Sequence, residues 1–224
     1  MGLTASDKGG QRFPPMPAGL KLAICYGVYD LGHHYDQTFD KTRHLCVILW
    51  EVPGERIDIK DKDSGVEKNL PRAKSKQYTL SLNEKANLRK DLESWRGKPF
   101  TAKQIDGFDI KAVLGQSCQL QIIHKPSPDG SKTYANISSI VQAPPGEKPN
   151  PENELQYFSF EDKMEIPANT PKWIRETIER SDEYRHLNNA ANVGVPITDP
   201  ELPQDISGIR TSDIPNPPDP DLPF

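Results

Sequence analysis

QYTLSLNEKANLRKDLESWRGKPF, residues 77–100, changes its period half-way along. Tyr78, Leu80 and Leu82 alternate with polar neighbours, as in a strand with one buried face. From Asn83 the apolar residues Ala86, Leu88, Leu92 and Trp95 recur at helical spacing. Asn83 offers a side-chain cap, and Gly97-Lys98-Pro99 ends the run. Upstream, Leu20, Leu22, Ile24, Tyr26 and Val28 alternate with Lys21, Ala23, Cys25, Gly27 and Tyr29, which predicts a first strand. HLCVILWEV (44–52) is apolar on both faces and reads as a central second strand. Residues 30–42 read as a polar loop, and 53–76 as a charged excursion with turns at Pro53-Gly54 and Ser64-Gly65. Downstream, 100–115 read as a loop with a helical turn or two. SCQLQIIHK (117–125) and TYANISSIVQA (133–143) then form a hairpin through the Asp129-Gly130 turn.

Three strands, one helix and a final hairpin match an OB-fold, the partly open five-stranded barrel. The expected class is mainly β (α+β), with the helix between strands 3 and 4 and the barrel spanning 20–143. A generic α+β sheet is the alternative. Around this unit lie an N-terminal arm (1–19) and a Pro-rich linker (144–154). An extended segment and helix follow (155–192), the helix starting at Thr170-Pro171 with Trp173, Ile174, Thr177, Ile178 and Tyr184 on one face. Periodicity is lost from 186, and 193–224 read as a disordered acidic tail.

Only 34% of the 224 residues are hydrophobic and 22 are proline, too lean for the whole chain to fold. No apolar run is long enough to span a membrane, and the N-terminus lacks the apolar core of a signal peptide. The expected location is the cytoplasm. Cys25, Cys46 and Cys118 are odd in number and set in apolar runs, which predicts reduced, buried thiols. His33, His34, His44 and Cys46 lack metal-site spacing, so no metal is expected.

The net charge of −4 conceals a division. Residues 1–150 carry 22 Lys+Arg against 17 Asp+Glu; 151–198 carry 5 against 9; 199–224 carry 1 against 6. A basic front with an acidic appendage suggests a polyanion-binding domain. No phosphate loop, nucleophile elbow or metalloprotease motif is present, and neither catalysis nor a cofactor is expected. The nearest nuclease-like pattern is DIKDKD (58–63) with Glu51 upstream; solvation of a charged hairpin is its simpler reading.

Single-strand binding needs cations for phosphates and rings for bases. The candidates are Lys21, Tyr29, Tyr35, Phe39, Lys41 and Arg43 around the first loop; Trp50, Arg72, Lys74, Lys76 and Tyr78 on strands 2 and 3; and Lys125, Lys132 and Tyr134 at the last hairpin. Trp50 and Tyr78 also fit a core pattern, and Trp95 reads as structural. RAKSK (72–76) is the densest basic cluster on these strands.

Residues 14–143 resemble a family of small phage and prophage proteins encoded among replication and recombination genes. The resemblance rests on LRKDLESWRGKPF, GFDIKAVLG and QIIHK…DGSKTYANI. It implies a phage-encoded OB-type single-stranded-DNA-binding protein. The chain's end, PPDPDLPF (217–224), is similar to the acidic tip of bacterial single-stranded-DNA-binding proteins. Asp219 and Asp221 match its acidic positions, Pro223 and Phe224 its terminal pair, and Leu222 stands in place of isoleucine. That similarity implies recruitment of replication and recombination proteins. The expected function is therefore largely sequence-independent single-strand binding, with possible homo-oligomers. A protein-interaction module or host-factor inhibitor without nucleic acid, or a metal-dependent nuclease, are the alternatives.

Overall fold

The computed structural model describes residues 13–60, 65–162 and 165–193. The elements are β1 (Gly19–Asp36), β2 (Lys41–Lys60), β3 (Glu67–Thr79), α1 (Asn87–Arg96), α2 (Ala102–Asp106), a 3-10 turn (Ile110–Val113), β4 (Ser117–Pro126), β5 (Thr133–Gln142), β6 (Gln156–Phe158), α3 (Lys172–Glu179) and α4 (Asp182–Val193). The architecture is mainly β. One six-stranded sheet runs β3-β2-β1-β4-β5, antiparallel throughout, and β6 adds to β1 in parallel. The first four strands lie in the Greek-key order 4-1-2-3.

β1 organises the sheet because it is long and bulged. Its first half pairs with β4 (Gly19↔Ile122 to Ile24↔Ser117), its second half with β6, and its other edge with β2 from Ile24↔Glu51 to Asp36↔Lys41. Register shifts fall between Cys25 and Gly27 and between Asp30 and Gly32. The first reverses the predicted alternation. Ala23, Cys25 and Val28 enter one core, whereas Tyr26, Tyr29 and Leu31 enter another on the opposite face. Gly32 forms the second bulge at φ 76°, and a Cβ there would meet Glu183 Oε2 at 2.5 Å.

The main core joins Cys46, Ile48, Trp50 and Tyr78 to Leu88, Leu92 and Trp95 of α1, closed by Leu120, Ile122 and Ile140. α1 starts later than its sequence suggested. Asn83 accepts from Lys85 N at 3.1 Å before the helix, and Ala86 is the N-cap without a side-chain bond. Gly97, at φ 68°, ends it as predicted. Trp95 donates its indole N–H to Ser117 O at 2.7 Å, which ties the helix to β4.

The second core holds Tyr26, Tyr29, Leu31, Val47 and Leu49 under Phe158, Ile174 and Ile178. The C-terminal segment is thus part of the fold. The helix predicted from 171 is two helices, α3 and α4, and α4 carries helical structure to Val193, beyond the expected loss of order at 186. The linker is anchored too. The wholly buried Glu51 carboxylate accepts from Glu152 N (3.0 Å), Asn153 N (2.9 Å) and Asn153 Nδ2 (2.5 Å). The strands are longer than predicted: β1 and β2 consume most of the polar loop, and β3 begins at Glu67 inside the supposed charged excursion. Charge density there masks an alternation of Ile57 and Ile59 with Arg56, Asp58 and Lys60. All three cysteines are free and buried, and burial pushes the Cys46 thiol up to about 12. No described helix is long and apolar enough to cross a membrane.

Candidate nucleic-acid interface

The basic residues of RAKSK do not stand in solvent. β3 pairs with β2 through Cys46↔Tyr78, Ile48↔Lys76, Trp50↔Lys74 and Val52↔Arg72, and residues directly opposite share a face. Arg72, Lys74, Lys76 and Tyr78 therefore point to the main-core side, while Ala73, Ser75 and Gln77 are exposed on the other. Each polar head reaches a different element. Arg72 Nη2 donates to Pro14 O at 2.8 Å, Lys74 Nζ donates to Ala135 O of β5, and Lys76 Nζ pairs with Asp91 of α1 at 2.5 Å. Tyr78 Oη also donates to Asp91, at 2.8 Å. This row bridges the gap where the sheet's two outer strands, β3 and β5, approach. Burial, and then the neighbouring Arg72, hold the Lys74 ammonium below its usual range.

Three predicted stacking rings are excluded from that role. Tyr29 and Trp50 are wholly buried and Tyr78 nearly so. Tyr29 falls in the second core because of the β1 bulge and donates to Gln156. Trp50 packs on Trp95, with centroids 5.8 Å apart. Lys21 is tied to Glu55 at 2.5 Å. Glu51 is no metal-facing acid, since its oxygens are spent on the 152–153 backbone. Asp58 accepts from Asn69 Nδ2 at 2.7 Å. The rest of DIKDKD, from residue 61, lies outside the described residues, as does the tip Asp219, Asp221, Leu222, Pro223, Phe224.

The remaining candidates divide between the two ends of β1. At its C-terminal end, Tyr35 and Phe39 are 57% and 59% exposed. Arg43 lies over the Phe39 ring at 4.6 Å, and Lys41 is exposed. Asp36 lies near Arg43, and Asp40 accepts from Tyr35 Oη, so this tip has no net cationic excess.

At the other end lies a cleft of about 1030 Å³. Its walls are the extended β2–β3 hairpin (Ile57, Ile59, Leu70) and the start of β5 (Lys132, Tyr134), and Phe13–Met16 line it as well. Among the described residues its charged lining is Arg72, Lys74 and Lys132, all cations, in a chain of net charge −4. Phe13, Leu70 and Tyr134 are 40%, 39% and 51% exposed. Lys125 stands opposite Tyr134 across the hairpin, also exposed. In the turn beyond, Ser127 and Ser131 donate to the Asp129 carboxylate and hold its pKa down to about 2. Sequence reasoning found Arg72, Lys74, Lys132 and Tyr134 here but missed Phe13, Ile57, Ile59 and Leu70. Phe13 and Met16, apolar among polar residues of the arm, were the available signal. Met16 is buried in the main core and its carbonyl accepts from His124 Nε2 at 2.9 Å, so it anchors the arm that presents Phe13.

Comparison with protein-family models, curated proteins and solved structures finds no match.

Proposed function

We propose that this protein is a non-catalytic binder of single-stranded DNA and that the cleft between β3 and β5 carries the strand. The observation behind this reading is that the charged residues lining that cleft are, among the described residues, all cations, beside exposed Phe13 and Tyr134. Cations neutralise phosphates, and rings with a free face stack on bases regardless of sequence. The strand order, with α1 following β3 and the Lys74 contact joining β3 to β5, supports an OB-type barrel left open at that seam. In this reading the phage-family resemblance gives the setting, replication or recombination in a host cytoplasm, and the C-terminal tip recruits partner proteins.

The test is a titration of the full chain with an oligo-dT and with a duplex across salt. Tight, salt-dependent binding to dT over duplex is expected. Phe13→Ala and Tyr134→Ala each weaken it by about tenfold, in line with ~1–3 kcal/mol per stacked base. Lys132→Ala lowers the salt slope by about one phosphate. Failure of the wild-type chain to bind dT at about 50 mM salt overturns the proposal in favour of an interaction module.

A further inference from the structure

A second cleft, of about 580 Å³, lies by the C-terminal half of β1, between β1, β2, α1, the α2 segment and β6. Its floor is apolar: Leu82, Leu88, Leu92, Ile105, Phe108 and Ile110. Leu80, 36% exposed, stands at its edge. The charge of its lining is opposite to that of the first cleft. Among the described residues, Asp30, Asp106, Asp109 and Glu161 line it, His44 is the only basic side chain, and neither Lys nor Arg contributes.

The four carboxylates are not equivalent. Asp30 holds His44 Nε2 at 2.7 Å and Gly32 N at 2.8 Å. Asp109 accepts from Lys111 N at 2.8 Å and starts the 3-10 turn. Asp106 and Glu161 are exposed and make no ion pair among the described residues. An apolar floor under exposed carboxylates repels a phosphate backbone but complements a side chain that combines a hydrocarbon body with a cationic head.

We infer that this cleft is a docking site for a partner-protein segment that sets apolar side chains on the floor and a Lys or Arg against Asp106 and Glu161. The occupant is not nucleic acid, so the protein has two faces of opposite chemistry. A strand fills the cationic cleft while a basic-apolar segment of a partner fills the acidic one.

A displayed library of random linear peptides, panned against the full chain, tests the inference. Selected peptides are expected to carry Lys or Arg next to Leu, Ile or Phe. A synthetic copy is expected to lose at least about tenfold in affinity, ~1.4 kcal/mol, against the Asp106→Lys/Glu161→Lys variant and against Leu80→Ser. Both variants should melt within a few degrees of wild type, because all three altered side chains are exposed, and should keep dT affinity within about twofold. That last reading separates this inference from the DNA proposal, which fails or stands on the wild-type titration alone. Absence of enriched peptides, an acidic consensus, or affinity unchanged by the charge reversal overturns it. So does a wild-type dimer in sedimentation that the charge reversal dissociates, because the occupant would then be a second copy.

Discussion

His44 is the residue at which this protein meets physiological pH. The Asp30 carboxylate, bonded to its Nε2, raises its pKa above the ordinary value near 6.5, against the opposing pull of burial. Glu183 and Glu161 add to the attraction, and the His33 ring stacks 4.4 Å away. His33 is itself bonded to Glu183 of α4, through its ring and its backbone N–H (2.8 Å). A pKa raised by folding favours the protonated form in the native state. Its contribution is therefore complete below about pH 6.5 and is lost as pH rises through the folded value. The melting temperature is expected to fall as pH rises above about 6.5. His44→Gln, which keeps a donor for Asp30, should flatten that part of the profile. A variant profile as steep as wild type would assign the dependence to other groups.

At the scale of the element, β3 shows how a basic stretch can be structural. Its inward row sends Arg72 to the arm, Lys74 to β5 and Lys76 to α1, so three cations tie three elements to one strand. The Lys76–Asp91 pair is largely but not wholly shielded, with side chains 26% and 16% exposed, and is worth on the order of 1 kcal/mol. Lys76→Met keeps the stem that packs beside Tyr78 and removes the charge. It is expected to lower thermal stability by a few degrees, equivalent to about 1 kcal/mol, and to leave dT affinity within about twofold. Lys132→Ala, at an exposed hairpin position, should do the reverse. Loss of DNA affinity in Lys76→Met without loss of stability would make Lys76 a phosphate contact.

On the scale of the whole molecule, the sheet is covered on both sides. α1 fills one face, and β6 with α3 lies on the other, where Phe158, Ile174 and Ile178 are almost wholly buried. Each such side chain contributes about 1.5–3 kcal/mol, and the three together rival the ~5–15 kcal/mol net stability of an ordinary domain. A chain ended at residue 154 would also expose Tyr26, Tyr29, Val47 and Leu49 to water. It is expected to lose cooperative thermal unfolding, read by circular dichroism beside the full chain. Retention of a sharp transition near the wild-type temperature would show the part of the sheet before residue 155 to be self-sufficient. The same cover explains the position of the DNA proposal. The outer surface of β1 and β2 is taken by the chain's own C-terminal segment, and the cleft of the proposal lies away from it, between β3 and β5.

The sequence by itself determined the β-rich class, a change from strand to helix within residues 77–100 though not its exact place, the stop at Gly97, the β4–β5 turn and the burial of the cysteines. These follow from period, capping and turn chemistry, which act over a few residues. It also singled out Arg72, Lys74, Lys132 and Tyr134 as candidates, and the structure brings these four to one cleft. Only the tertiary structure decided which side those residues face and what they meet. The bulge at Tyr26 reverses the pleat, so Tyr29 turns from a stacking candidate into core. Pairing across β2 sends the RAKSK cations inward. The anchoring of the linker depends on Glu51, a carboxylate that seeks two amides about a hundred residues away. Contacts of that range leave no period in a sequence, because they depend on how the strands coil rather than on how they alternate.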